Sequence, residues 1–265
     1  MNKGIFYNLP SKYKFSTTFA AQIKPLISED VDKYLAVASQ SNLQKFLPDN
    51  INFNKKVDFL GFAGEAFIAN RTNSNDDGVK TEEAISIAEL FPLSLVDLEH
   101  NRNQCIGVIT TASFAEYGTN KPLTKEEIKD TKSPFSCVIG GIIWRVVSPD
   151  LANAIEESND PSSELFGKIY LSWELAFTDV NLLLIDAKKK NFEDGKLITD
   201  VNEINKLEGK LRAFGGKGIT DDGLKIVRVP VNDVIPLGVG IVENPAAQVK
   251  PIVVNSSQSE ELLIK

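Results

Sequence analysis

The sequence predicts an α+β protein whose core is a mainly antiparallel β-barrel, closed or nearly closed, with a few helices around it. Three observations support this fold class. The chain contains many apolar segments of strand length, two or three helical segments lie between them, and the regular strand-helix alternation of a Rossmann-type fold is absent. With 265 residues, of which 42% are hydrophobic, the chain can bury a large core.

The predicted elements follow from periodicity and from start and stop signals. Ser148, Pro149 and Asp150 form a helix start, because serine suits the cap, proline the first position and aspartate the positive end of the helix dipole. Residues 70–81 are rich in Asn, Asp and Ser, so we expect a flexible polar loop there. The predicted strands are 59–69, 91–100, 105–113, 136–147, 168–177, 180–186, 224–229 and 234–243, and the predicted helical segments are 82–90, 148–158, and parts of 117–134 and 187–210.

The chain divides into three predicted regions. Residues 1–55 are an N-terminal extension, partly helical, with a helix of about four turns that starts at Ser28. Residues 56–247 form the main domain. Residues 248–265 contain the polar run Asn-Ser-Ser-Gln-Ser-Glu-Glu at 255–261 and are expected to form a flexible C-terminal tail.

Composition argues against several classes of function. The net charge of −7 makes a nucleic-acid groove unexpected, and no apolar run approaches the ~20 residues of a membrane span. One histidine and two cysteines without a Cys-x-x-Cys pair offer little for a zinc site, so we expect no metal and no cofactor. Cys105 and Cys137 lie in apolar segments and are expected to be reduced core residues.

His100 is the only histidine of the chain. Imidazole is the side chain whose unperturbed pKa allows proton exchange near neutral pH, so His100 is the one candidate for a histidine general base. It ends an apolar strand-like segment, a position from which a side chain can line a cleft. The alternative is an ordinary surface or half-buried histidine.

Ser172 and Glu174 lie two residues apart in the predicted strand 168–177. Alternation places them on one face of the strand, about 7 Å apart, and places Leu171, Trp173 and Leu175 on the other face. Both polar side chains could then reach a histidine on a neighbouring strand. A serine becomes nucleophilic when a base takes its proton and a third group orients that base. The alternative is a serine with a local hydrogen bond beside a solvated glutamate.

Together these segments resemble a family. The motifs His100-Asn-Arg-Asn-Gln-Cys-Ile-Gly-Val and Leu171-Ser-Trp-Glu-Leu-Ala-Phe177 are similar to those of the tailed-phage prohead (capsid maturation) proteases, which are related to the herpesvirus assemblin fold. The strand and helix start from Gly140 to Ala152 and the segment from Val239 to Ala246 resemble two further parts of that family. The four motifs occur in the family's order and span roughly residues 58–247.

The resemblance implies a serine endopeptidase with an assemblin-like barrel, in which Ser172 is the nucleophile and His100 the base. The third member stays open. The glutamate that many relatives carry on the closing strand falls near Gly238 here, and the second histidine of the assemblins is absent. Glu174 is the choice because it shares a strand face with Ser172. The competing possibilities are Asp233, a dyad without a carboxylate, and Glu99 or Asp97, whose side chains would point opposite to His100 on a regular strand.

Gly215 and Gly216 lie in the most glycine-dense part of the chain and are candidates for an oxyanion hole, since glycine lets main-chain N–H groups approach a substrate. The alternative for them is a hairpin or hinge loop.

The resemblance also implies the substrates and the place of action. These are scaffolding and major capsid precursor proteins, and the enzyme's own termini, inside the assembling procapsid in the host cytoplasm; a homo-oligomer is possible. A rival function is an inactive structural or scaffold component of the capsid with the same fold. A third is a cysteine hydrolase that pairs His100 with Cys105 or Cys137.

Overall fold

The computed structural model describes residues 15–20, 58–119, 121–158, 160–242 and 253–254. The predicted helix from Ser28 and most of the predicted tail lie outside these residues. The strands are β1 (Phe15–Ala20), β2 (Phe59–Ala69), β3 (Leu95–Leu98), β4 (Asn101–Glu116), β5 (Pro122–Leu123), β6 (Phe135–Trp144), β7 (Tyr170–Phe177), β8 (Asp179–Ile185), β9 (Lys196–Ile198), β10 (Lys225–Val231), β11 (Ile235–Val242) and β12 (Val253–Val254). The helices are α1 (Thr81–Leu90), α2 (Lys125–Ile128), α3 (Pro149–Glu157) and α4 (Val201–Glu208), with 3-10 turns at Phe192–Asp194 and Arg212–Phe214.

One large curled sheet forms a half-barrel with the strand order β1-β7-β11-β3-β4-β6-β2-β12, and β5 pairs with β4. Its described pairs are antiparallel except for β3 with β11, which run parallel. A second sheet has the order β10-β8-β9. The predicted α+β class and the mainly antiparallel core are therefore confirmed. In the described part of the chain, no helix is long and apolar enough to cross a bilayer.

Two strands of the large sheet come from outside the predicted main domain. β1 lies within the predicted extension and pairs with β7, with Ala20 opposite Ser172 and Phe15 opposite Phe177. β12 lies within the predicted tail and pairs with β2. The segments that flank residues 56–247 therefore contribute the two end strands of the sheet.

Trp173 anchors the strand that carries Ser172. Its side chain is fully buried, and its ring packs against Phe67 and Phe91 with centroid distances of 5.2 and 5.0 Å. Its indole Nε1–H donates to the carbonyl of Ala66 at 3.0 Å. Ala66 is the bulged residue of β2, so this bond satisfies a carbonyl at the place where the ladder with β6 shifts register.

The segment 70–81 is packed, and the expectation of a flexible loop is wrong. Asp77 is fully buried and accepts two hydrogen bonds from Arg228, at 2.7 and 3.0 Å. Burial raises the pKa of Asp77, while the charge of Arg228 opposes that rise. Asp76 pairs with Lys225 at 2.5 Å and with Arg212 at 3.0 Å. Polar residues that usually mark a loop are held here by cations from distant parts of the sequence.

Candidate active site

His100 lies in a tight turn between β3 and β4. Glu99 and His100 both have left-handed φ values, 52° and 58°, and Leu98 pairs with Asn101 across the turn. Two positive φ values in a two-residue hairpin are typical of the mirror-image turns that match strand twist. Residues other than glycine hold this conformation at a cost of about 1–3 kcal/mol each. The strand predicted to run to residue 100 thus ends at Leu98, and His100 belongs to the turn.

Ser172 lies in the middle of β7, which is flanked by β1 and β11. Leu171, Trp173 and Leu175 are buried in the main core, as alternation along the strand predicts. Ser172 itself is 3% exposed. On the β11 side, Gly240 lies directly opposite Ser172.

Gly240 makes room for the imidazole of His100. β11 separates β7 from β3 in the sheet, so His100 reaches Ser172 across β11. A Cβ atom on Gly240 would lie 3.0 Å from both Cε1 and Nδ1 of His100, closer than ordinary van der Waals contact. This role of Gly240 was not predicted from the sequence. The available signal was a glycine inside a strand, which often marks a close approach.

The imidazole and the hydroxyl are within hydrogen-bonding distance. His100 Nε2 lies 2.9 Å from Ser172 Oγ, and the His100 side chain is 28% exposed. If Ser172 donates this bond, Nε2 is the acceptor and Nδ1 carries the proton. This tautomer is the one that allows Nε2 to take the serine proton.

Glu174 lies behind the imidazole and is paired with Arg102. Its Oε1 is 4.0 Å from His100 Nδ1, beyond hydrogen-bonding distance, and its Oε2 accepts a 2.6 Å hydrogen bond from Arg102 Nη2. The structure therefore brings together all three predicted catalytic residues, His100, Ser172 and Glu174. Arg102 was not predicted to contact the site, although it is the arginine of the His-Asn-Arg motif.

Asp97 is a second carboxylate at this site. Asp97 is 2% exposed, and its side chain accepts a hydrogen bond from the main-chain N–H of His100. Burial raises the pKa of Asp97 to about 6. The positive charges of His100 and Arg102 act to lower this pKa, and the negative charge of Glu174 acts to raise it. The left-handed turn at Glu99 and His100 brings the main-chain N–H of His100 to the Asp97 side chain.

The oxyanion-hole assignment to Gly215 and Gly216 needs correction. The N–H of Gly215 donates to the carbonyl of Arg212 at 3.0 Å, and the N–H of Gly216 donates to that of Leu211 at 2.9 Å. Both donors close the turn in which they lie. They are therefore not available to a substrate oxygen, and the hairpin or hinge interpretation fits these residues better.

The two cysteines and the carboxylates of Asp233 and Glu99 are less well placed for catalysis. Cys137 is fully buried, and burial raises the pKa of its thiol, which disfavours the reactive thiolate. Cys105 is exposed, so the expectation that it is a core residue is wrong, and its thiol contacts the Gly107 carbonyl at 3.6 Å. Asp233 precedes β11, roughly 20 Å along the chain from Gly240 at strand spacing. Glu99 is exposed in the turn.

The arrangement provides a base for a serine hydroxyl. A histidine that lies beside a serine hydroxyl and has a carboxylate, here Glu174, near its other ring nitrogen is the pattern of an activated nucleophile. Among the described residues, no three His, Cys, Asp or Glu side chains are grouped so that they could hold a metal ion. Comparison of the chain with family models, curated proteins and solved structures gave no match, so the chemistry is assigned from this geometry.

Proposed function

We propose that this protein is a serine endopeptidase of the tailed-phage prohead-protease type. The observation that carries the proposal is the 2.9 Å distance between Ser172 Oγ and Nε2 of the only histidine, two residues that lie 72 positions apart in the sequence. The pair satisfies the hydroxyl of the buried Ser172, and it also places an imidazole where it can accept the serine proton. The half-barrel sheet is compatible with an assemblin-like barrel, and the motif order of the sequence supports the same family.

In the proposed reaction, Ser172 Oγ attacks the scissile carbonyl while its proton passes to His100 Nε2. The tetrahedral intermediate collapses, the C–N bond breaks, and His100 returns the proton to the leaving amine. Water then attacks the acyl-enzyme, with His100 again taking and giving the proton, and the acid product leaves Ser172 as it began.

Glu174 stabilises the imidazolium that forms during each step. It lies 4.0 Å from Nδ1 and has to approach by about 1 Å to accept a hydrogen bond. Arg102 holds the other oxygen and fixes the carboxylate in place, but its charge also weakens the pull of Glu174 on the imidazolium. Glu174 is therefore a weaker third member than a directly bonded carboxylate.

The proposed substrates are scaffolding and major capsid precursor proteins inside the assembling procapsid in the host cytoplasm, and also the termini of the enzyme. Exposed terminal segments can adopt the extended shape that an active-site cleft requires, whereas core strands cannot. A homo-oligomer would be compatible with action in a closed shell.

The test is incubation of the protein with its cognate capsid precursor, followed by fragment analysis. Wild-type protein should give defined fragments, and Ser172→Ala and His100→Ala should each lose roughly 10⁴–10⁶ in kcat without unfolding. The double variant should be no worse than either single variant, because the two residues act as one unit. A much slower double variant would show that they do not.

Self-processing has its own test. Wild-type protein at high concentration should shorten with time by mass spectrometry, while Ser172→Ala protein stays at full length. Equal shortening of the two would point to a contaminating protease.

The second candidate function is an inactive capsid or scaffold component with the same fold, which the 3% exposure of Ser172 favours. A small fluorophosphonate separates the two, since it reacts with a serine that a base activates. Labelling of wild-type protein but not of His100→Ala supports the protease, and the absence of labelling supports the structural component.

A further inference from the structure

β1 occupies the edge of the strand that carries Ser172. β7 pairs with β11 on one side and with β1, the end strand of the sheet, on the other, so another strand can pair with β7 only if it displaces β1. Residues 15–20 run antiparallel along β7 and end with Ala20 directly opposite Ser172. Opposed residues in such a pair have Cβ atoms roughly 5 Å apart. The backbone at Ala20 therefore lies close to the nucleophile.

Thr17 fixes the register of β1. Its hydroxyl donates to Asp77 Oδ2 at 2.7 Å and accepts from Arg228 Nη2 at 3.1 Å. Asp77 is fully buried and forms a two-bond pair with Arg228, so the anchor is rigid. A one-residue slip would turn Thr17 to the other face of the sheet and break both bonds. The anchor thus specifies the register that sets Ala20 opposite Ser172.

An extended peptide commonly binds an exposed strand edge through main-chain hydrogen bonds. A protease that cuts extended segments needs such an edge beside its nucleophile, and here the β7 edge beside Ser172 is taken by β1. We propose that this edge is the binding site for the backbone of an extended substrate. We further propose that β1 competes with the substrate for this edge and inhibits the enzyme while it is paired with β7. This inference rests on the proposed function, because it concerns access to the same serine.

The test is a reversible lock on β1 in the full-length chain. Ser16 and Ala176 are directly opposed, and a Cα separation of roughly 4.5–5.5 Å suits a disulfide. The variant Ser16→Cys/Ala176→Cys is made in a Cys105→Ser background, because Cys105 is an exposed thiol. Oxidation locks β1 onto β7, and a reductant releases it.

Two probes then report different things. A small fluorophosphonate reports activation of Ser172, and a peptidyl phosphonate that carries the β1 sequence Thr-Thr-Phe-Ala reports access to the edge. We expect the peptidyl probe to label the reduced protein at least tenfold faster than the oxidised protein, with a smaller change for the small probe. Ser16→Cys alone should show no such dependence on oxidation.

The outcomes are distinct. Equal labelling of both forms by both probes would overturn the role of β1 and leave the protease intact. Labelling by the small probe alone, in both forms, would show that the edge does not take an extended peptide. No labelling by either probe in either form would overturn the protease itself, and the role of β1 with it.

Thr17→Val gives a second route that does not depend on the disulfide. It removes the hydroxyl but keeps a β-branched residue, and should speed labelling by the peptidyl probe about tenfold over wild type. Thr17→Ser keeps the hydroxyl and should label at the wild-type rate. Equal rates for valine, serine and wild type would contradict the anchor.

Discussion

Gly240→Ala tests the geometry of the site with one methyl group. The added Cβ would lie 3.0 Å from Cε1 and Nδ1 of His100 and 3.2 Å from its main-chain nitrogen. Carbon contacts prefer 3.5–4.0 Å, so the imidazole has to retreat by about 0.5 Å. If that shift appears fully between Nε2 and Ser172 Oγ, their 2.9 Å distance grows to roughly 3.4 Å, beyond the range for proton transfer.

We expect this displacement to lower the rate of Ser172 labelling by a small fluorophosphonate roughly tenfold to a hundredfold, since misplacement by 1 Å costs about 10² in rate. Stability should change little. Gly240 has no left-handed φ, and alanine at such a position often adds about 0.4–1 kcal/mol, which offsets the crowding.

Gly61→Ala is the matched control, because a Cβ there meets nothing within 4 Å. It should label at the wild-type rate. The measurements are the second-order labelling rate and the midpoint of urea unfolding for both variants. If a folded Gly240→Ala protein were labelled at the wild-type rate, the conclusion that His100 needs a residue without a side chain at position 240 to reach Ser172 would be refuted.

Three further predictions concern the residues around the imidazole. Glu174→Gln should lower the labelling rate by about one to two orders of magnitude, less than the loss of Ser172, because Glu174 is 4.0 Å from Nδ1; an unchanged rate would remove Glu174 from the site. The pKa of Asp97 is raised from 3.8 to about 6, so the folded state binds the carboxyl proton more tightly than the unfolded state does. The protonated carboxyl therefore adds to the free energy of unfolding below about pH 4, and this contribution is lost as the pH rises through 6. Asp97→Asn should therefore gain stability relative to wild type across pH 4–6 in urea titrations, and a constant difference would contradict the assignment. His100→Asn should abolish labelling yet be about 1 kcal/mol more stable than His100→Ala, because asparagine tolerates the left-handed turn; equal unfolding midpoints would contradict that strain.

The local parts of the site could be predicted from the sequence. Strand alternation is a local property, and it correctly separated the face of Ser172 and Glu174 from the buried face of Trp173. The pairing of His100 with Ser172 rested on the motif order, since no local pattern specifies a contact between residues so far apart.

The remaining features depend on long-range strand pairing and on backbone conformation. The strand β11 lies between β3 and β7, an order that the chain sequence does not reveal, and therefore the role of Gly240 was missed. The turn at Glu99 and His100 was missed because this segment lacks the Asn-Gly or Asp-Gly pair that usually marks such a turn. Asp77 was assigned to a flexible loop because its partner Arg228 lies 151 positions away.

The position of β11 in the sheet also determines when the site can form during synthesis. β11 is bonded to both β7 and β3, and it is made about 70 residues after Ser172. At synthesis rates of roughly 5–20 residues per second, β11 is made several seconds after Ser172, and only then can it join β7 to β3. A nascent chain therefore carries both residues before it carries the strand that brings them together. The order of the strands therefore delays formation of the His100–Ser172 pair until β11 has been made.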